Sequence, residues 1–324
     1  MRHIAVLTSG GDAPGMNAAI RAITRSALEQ GLTVHGVRQG WQGLVDGQLR
    51  PLSARDVGGI IHLGGTFLGS ARSAAFRTEE GRSRAVRNLA QLGIDGVVVI
   101  GGNGSQTGSH ALTMLGVPVV GVASTIDNDL PGTDVSIGSD TAINVTLGAI
   151  DHLRTTGSSH SRAFLVETMG RDSGYLAMMA GLAGGAEVIS TPEHEVTAEE
   201  IATRLRAAYE RGKTHAIVVI AEGVKTHTAE KILAWFEAEN ARTGFELRAT
   251  RLGHVVRGAP PSAFDRILAT RLGIGAVQAL SEGVRDVLIG WQGNAIARTP
   301  LAEVVGHTKP MDTNLVELAR ILAR

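Results

Sequence analysis

The stretch Leu7-Thr8-Ser9-Gly10-Gly11-Asp12-Ala13-Pro14-Gly15-Met16-Asn17 decides the fold class. It closes an apolar run, Ile4–Thr8, and opens a helical pattern, Gly15–Gln30, that stops at Gly31. Backbone N–H groups and the helix dipole at such a strand-to-helix turn favour an anion, typically phosphate. A tight structural turn would also use glycine, but it does not account for so many small residues in a row. Working outward, Val97-Val98-Val99-Ile100-Gly101-Gly102-Asn103-Gly104-Ser105 repeats the arrangement ahead of a second helix. Two such edges on one sheet suggest a polyphosphate or nucleotide laid across strand ends.

Around these turns, apolar β-branched runs alternate with helical patterns. Ile4–Thr8, Thr33–Arg38, Gly96–Ile100, Val117–Val122, Ala163–Glu167, Ala216–Ala221 and Val287–Gly290 predict strands. Gly15–Gln30, Glu80–Leu92, Ser139–Arg154 and Ala198–Glu210 predict helices, the last opened by a capping box from Thr197 to Glu200. Strands that are apolar nearly throughout are buried on both faces, so the sheet is parallel and covered by helices. Glycine makes up 42 of the 324 residues, well above its usual share of ~7%. It clusters after apolar runs, as at Gly10-Gly11, Gly64-Gly65, Gly101-Gly102 and Gly184-Gly185, while Gly31, Gly93 and Gly212 read as helix C-caps.

Composition narrows the function. Lys plus Arg and Asp plus Glu each number 31, which argues against a nucleic-acid binder, so an anion site must come from local clusters. Without cysteine there is no disulfide, thiolate nucleophile or Cys-based zinc site, which fits a reducing cytoplasm. Met1-Arg2-His3-Ile4 runs into a strand with no signal-peptide pattern, and no apolar run reaches the length of a membrane span.

Two further features carry chemistry. Ser124-Thr125-Ile126-Asp127-Asn128-Asp129 follows a strand, and its two carboxylates and hydroxyl suit a base with a metal neighbour, or equally a solvated Asx-turn. Arg72, Arg77, Arg162, Arg171, Arg248 and Arg257 stand after glycine-rich or strand-end segments, and guanidinium forks match phosphate oxygens. Three motifs are decoys. Gly212-Lys213-Thr214 lacks the first glycine of a phosphate loop, which falls on Ala207, and runs from helix into strand. Gly102-Asn103-Gly104 lacks the third glycine of a dinucleotide fingerprint, which falls on Thr107, and this removes the dehydrogenase reading. Asn103-Gly104-Ser105 matches a glycosylation triplet only in letters.

Together these segments resemble the bacterial 6-phosphofructokinase family. The matching pieces are LTSGGDAPGMNAAIRA (Leu7–Ala22), GGTFLGSAR (Gly64–Arg72), VVVIGG-x-GS (Val97–Ser105), TIDND (Thr125–Asp129), SSHSR (Ser158–Arg162), ETMGR (Glu167–Arg171) and RATRLGHVVRG (Arg248–Gly258), in family order. The end of the chain matches only loosely. The resemblance implies a phosphofructokinase fold of two doubly wound α/β domains with mostly parallel sheets. Residues 1–138 with 251–305 would bind nucleotide, and 139–250 with 306–324 would bind sugar phosphate. It implies a cytoplasmic glycolytic kinase that turns ATP and fructose 6-phosphate into ADP and fructose 1,6-bisphosphate with Mg²⁺, and no nucleic-acid or membrane partner.

The same resemblance implies residue roles. Asp127 would be the general base on the sugar 1-hydroxyl, Thr125 would position the transferred phosphoryl group, and Arg171 and Arg72 would stabilise its charge. Gly11, Arg72, Ser73, Arg77, Gly102, Asn103, Gly104 and Ser105 would line the ATP site. Thr125, Ile126, Asp127, Met169, Gly170, Arg171, Glu222 and His254 would contact the sugar, with Arg162, Arg248 and Arg257 around its 6-phosphate. Arg162 and Arg248 would reach in from a neighbouring subunit of a homotetramer. Arg21, Arg25, Arg55, Arg154, Gly185, Glu187, Arg211, Lys213 and His215 would form an effector site for ADP or phosphoenolpyruvate, although a basic helix face explains some of them equally. Ala54 stands where the family has one of these arginines.

One departure matters. The family's GGDG loop reads Gly101-Gly102-Asn103-Gly104 here, so the aspartate that meets Mg²⁺ is an amide. This predicts weaker metal binding, with Mg²⁺ held mainly by ATP. It also keeps open a weakly catalytic, nucleotide-sensing paralogue. Pyrophosphate-dependent relatives carry Asp at the position of Gly104 and Lys at that of Ser124, so this chain is expected to use ATP.

Overall fold

The computed structural model describes residues 1–160 and 162–322. Ser161, inside the SSHSR segment, and Ala323 and Arg324, at the end of the expected sugar-phosphate domain, lie outside the described residues. The strands in chain order are β1 His3–Thr8, β2 Thr33–Val37, β3 Leu49–Leu52, β4 Gly96–Gly101, β5 Val119–Ala123, β6 Ala163–Thr168, β7 Val188–Ser190, β8 Ala216–Ala221, β9 Leu247–Arg251, β10 Val287–Gln292 and β11 Ala295–Pro300. The chain folds as two units, Met1–Thr141 with Arg257–Lys309, and Ala142–Val256 with Pro310–Arg324. It crosses between them after Thr141, Val256 and Lys309, a few residues beyond the crossing points expected at 138, 250 and 305.

The larger unit is built on a sheet in the order β11-β10-β5-β4-β1-β2-β3. The inner pairs are parallel, and the edge strands β3 and β11 are antiparallel to their neighbours. One face packs Ala5, Leu7, Val97, Val99 and Val119 against Trp41, Leu44, Phe76, Leu89 and Leu112. Ile4, Val6, Val98 and Ile100, which alternate with them, are also fully buried. Burial on both faces is what the unbroken apolar runs require. The chain leaves β1 toward β2 on one side and returns to β4 on the other. The strand order therefore reverses between β1 and β4, and ligands of open α/β sheets sit beyond the strand ends at such a reversal.

The smaller unit has an all-parallel sheet in the order β7-β8-β6-β9. Leu165, Val218 and Ile220 pack against helices Ala198–Glu210 and Ala229–Ala238 on one face. Phe164, Val166, Ile217 and Val219 pack against helix Tyr175–Ala183 on the other. The helix expected to stop at Arg154 runs on to His160, because Gly157 does not take the positive φ of a helix C-cap and the chain continues through it. Strands β3, β7, β9 and β11 were not expected from pattern, for reasons taken up in the Discussion. Gly31, Gly93 and Gly212 do take the positive φ of helix C-caps, at 75°, 62° and 90°. Among the described residues no helix is long and apolar enough to cross a membrane.

Candidate active site

In the larger unit, three sequence segments converge at the β1/β4 reversal. Ser9 N–H donates to Ile100 O at 3.0 Å, which ties the first glycine turn to β4. Gly10 and Gly15 carry φ of 83° and 106°, which only glycine adopts at low cost. A Cβ on Gly10 would sit 3.2 Å from Ser105 Oγ, so the two turns pack directly on each other. The segment Gly64–Arg72 is stitched on by Asn17. Its amide donates to Leu63 O and Gly64 O at 3.1 Å each, and its carbonyl accepts from Phe67 N–H at 2.6 Å. Ser70 Oγ donates to Gly10 O at 2.7 Å. Arg72 and Arg77 are exposed after this segment, while Ser73 is held by Gln42 Oε1 at 2.9 Å.

The carboxylate segment joins the same place. Ser124 N–H donates to Gly101 O at 3.3 Å, and a Cβ on Gly102 would lie 3.3 Å from Thr125 Cβ. Asp127 is 4% exposed, and its amide donates to Thr125 Oγ1 at 3.2 Å. Ile126 is fully buried beneath them. Asn103 opens helix Asn103–Thr113 and donates from its side-chain amide to Asp129 Oδ2 at 2.7 Å. Gly104 follows, and a Cβ there would meet nothing within 4 Å. A buried acid, an open glycine and a helix N-terminus thus stand side by side, a setting for phosphate next to a proton acceptor.

Arg257, expected around the sugar 6-phosphate, braces the first glycine turn. It is nearly buried in the larger unit, and its Nη1 donates to Asp12 O at 2.9 Å. The sequence reading missed two other residues here. Buried Asp265 accepts from Gly138 N–H at 2.8 Å, Thr141 N–H at 2.8 Å and Thr141 Oγ1 at 2.5 Å, and burial raises its pKa. Its sequence signal, Ser262-x-x-Asp265, reads only as a helix cap. Lys309 donates from Nζ to Thr133 O and Asp134 O at 2.8 and 2.9 Å, and burial lowers its pKa to about 8. No sequence pattern marks it.

In the smaller unit, β6 ends in Met169-Gly170-Arg171. Gly170 and Arg171 take φ of 147° and 52°. Glu222, after β8, holds this turn by accepting from Gly170 N–H at 3.3 Å and Arg171 N–H at 3.2 Å. Leu252 N–H donates to Glu167 O at 3.0 Å, which brings the segment carrying exposed His254 to the end of β6. Burial raises the pKa of Glu167, opposed by its ion pair with Arg251 at 3.2 Å. Met169, Gly170, Arg171, Glu222 and His254 therefore share the C-terminal edge of this sheet. Arg162 and Arg248 do not. Arg162 precedes β6, and Arg248 is level with Phe164 at its start, paired with Glu246 at 3.1 Å. A six-residue strand separates the two edges, about 20 Å.

The expected effector residues fall into both units. Lys213 Nζ donates to buried Glu187 Oε1 at 2.6 Å, Ser158 Oγ pairs with His215 Nδ1 at 2.7 Å, and a Cβ on Gly185 would lie 3.3 Å from Arg154 Nη2. Burial lowers the pKa of His215, opposed by Glu187, with Arg154 and Lys213 lowering it further. Arg154, Gly185, Glu187, Lys213 and His215 are thus one cluster in the smaller unit, beside Arg211 at the end of helix Ala198–Glu210. Arg21, Arg25 and Arg55 belong to the larger unit.

Fold and site together define a doubly wound α/β protein built to hold phosphate at strand ends. The phosphofructokinase family model matches residues 3–280. An ATP-dependent 6-phosphofructokinase of Thermotoga neapolitana is 49% identical over 325 residues, covering 100% of both chains. That of Listeria welshimeri is 47% identical over 324 residues, again covering 100% of both. The solved phosphofructokinase of Saccharomyces cerevisiae superposes with a TM-score of 0.85 at 38% identity, covering 94% of this chain and 45% of the yeast one. The chain belongs to the phosphofructokinase family.

Proposed function

We propose that the chain is an ATP-dependent 6-phosphofructokinase, which moves the γ-phosphoryl group of ATP to the 1-hydroxyl of fructose 6-phosphate. The observation that carries this reading is Asp127, 4% exposed and set in the segment that touches Gly102 and Asn103. Its carboxylate takes the proton of the 1-hydroxyl as the new P–O bond forms and the bond to ADP breaks. Thr125, beside Gly102, positions the transferred group. Arg72 and Arg171 stabilise the charge on it. The glycine turns at Gly11 and Gly102–Ser105, with Ser73 and Arg77, hold the nucleotide. Met169–Arg171, Glu222 and His254 hold the sugar.

The residues present fit a nucleotide-borne Mg²⁺. Among the described residues no cluster of three or more His, Cys, Asp or Glu could hold a metal alone. Mg²⁺ bound to ATP needs only one or two carboxylates besides phosphate and water, and Asp129, with the Asn103 amide on it, supplies one. When bound, the ion neutralises charge on the β- and γ-phosphates.

Arg162 and Arg248 serve the 6-phosphate of a neighbouring chain in a homotetramer, a reading supported by their distance along the smaller sheet from Met169–Arg171. Arg257 braces the first glycine turn through Asp12 O. The cluster around Glu187 and Lys213, with Arg154, Gly185, Arg211 and His215, binds ADP or phosphoenolpyruvate as effector. The enzyme works in the cytoplasm, a reducing compartment that the lack of cysteine fits.

The donor is tested by coupled assays with fructose 6-phosphate and Mg²⁺, using ATP or pyrophosphate. Turnover with ATP and not with pyrophosphate supports the reading. Turnover with pyrophosphate alone, or ATP binding without turnover, overturns it.

A further inference from the structure

The segment that carries the proposed base is an excursion from β5 that ends where Ile137 N–H donates to Ala123 O at 3.1 Å. Its inner half is closed by side chains. Asn128, at φ 48°, accepts from Ser136 N–H at 3.0 Å and donates to Asp134 O at 3.1 Å, and Ser136 Oγ donates to Thr125 O at 2.6 Å. Its outer half, Asp129–Asp134, leaves three carbonyls facing the end of the larger unit. One residue bonds all three, sharing Asp134 O with Asn128. Lys309 N–H donates to Asp129 O at 2.8 Å, and its ammonium donates to Thr133 O at 2.8 Å and Asp134 O at 2.9 Å.

We propose that Lys309 is a positioning residue for phosphoryl transfer, clamping the two ends of Asp129–Asp134 so that Asp127 and Asp129 keep their reactive placement. A half-buried ammonium on carbonyl oxygens is a costly way to close a loop, since a cation loses hydration there. The cost is offset by charge-assisted bonds and by the carboxylates of Asp134 and Asp129, the two charged groups that bear on it. Lys309 is also the last residue of the larger unit before the chain passes to Pro310. Removing the ammonium strips Thr133 O and Asp134 O of these bonds, and a shift of about 1 Å at a catalytic group is enough to slow transfer.

This inference rests on the kinase reading above, and the test separates the two. Lys309→Met and Lys309→Arg are assayed with ATP and fructose 6-phosphate. Hydrogen exchange is followed at the amides of Asp134 and Ser136. The Met variant is expected to lose kcat about tenfold or more, with KM for the sugar phosphate within about threefold of the parent. It exchanges faster at both amides, and Arg restores most of the loss. A Met variant with parental kcat overturns the proposal. So does an Arg variant as impaired as Met with an equal loss of Tm, since that marks a merely structural residue. If the parent protein phosphorylates no fructose 6-phosphate, the kinase reading fails. The exchange data then decide the clamp alone, unchanged protection in the Met variant overturning it.

Discussion

Asn103 and Asp129 are joined by a 2.7 Å hydrogen bond in which the amide nitrogen is the donor. A carboxylate at position 103 cannot make that bond, and two anions at this distance repel. Asn103→Asp therefore destabilises the metal-free protein, by ~1–4 kcal/mol for charges about 4 Å apart in water or near a protein surface. The same change adds a ligand for the ion. Mg²⁺ titrations in the presence of ATP should shift to lower concentration by several-fold, and metal-free Tm should fall. Superimposable Mg²⁺ titrations of the two forms count against this account.

Gly104 tests the donor. The open space around a Cβ at this position is where the nucleotide is expected to pass. Gly104→Asp puts a carboxylate there, against phosphate oxygens. KM for ATP should rise about tenfold or more with little change in Tm, since like charge in a cleft is costly. An unaltered KM would place the nucleotide elsewhere.

Glu222 holds the turn at Met169-Gly170-Arg171 by accepting two backbone N–H groups. Glu222→Ala leaves both without that acceptor, a loss of ~1–3 kcal/mol. Arg171 sits at φ 52° and depends on such support. KM for fructose 6-phosphate should rise roughly tenfold while ATP affinity, measured by calorimetry, stays put.

Asp265 makes a pH-dependent contribution. Burial raises its folded pKa above the ordinary carboxyl value. The native state then binds a proton that the unfolded state has released, so this group's stabilisation is fully present below the ordinary value and is lost as pH rises toward the folded one. Asp265→Asn removes the titration and one acceptor. The stability advantage of Asp over Asn, from urea unfolding, should be larger at about pH 4 than at about pH 8. An advantage that grows with pH reverses the sign and contradicts the account.

The interior of the fold was legible because parallel strands buried on two faces are apolar throughout. Val97–Ile100 and Ala216–Ala221 could be read as strands from side chains alone. The edges were not. Leu49-Arg50-Pro51-Leu52 holds a proline, β7 is three residues long, and Leu247–Arg251 and Ala295–Pro300 are mostly exposed. Their pairing is a backbone property that composition does not record. The glycine turns stood out because strand-to-helix turns restrict residue types, whereas the roles of Asp127 and Met169–Arg171 came only from the resemblance to the family. Asp265, Lys309 and the bracing role of Arg257 were not, because each acts on backbone carbonyls or amides remote in sequence, as Arg257 does on Asp12 across 245 residues.

The most direct test of Asp127 as the proton acceptor is the single-turnover and steady-state rate of Asp127→Ser, measured beside ATP and fructose 6-phosphate binding by calorimetry. Loss of a general base predicts a fall in kcat of about 10²–10⁴-fold with both affinities within a few-fold of the parent. A variant that turns over within tenfold of the parent, or one that fails because neither ligand binds, contradicts the assignment.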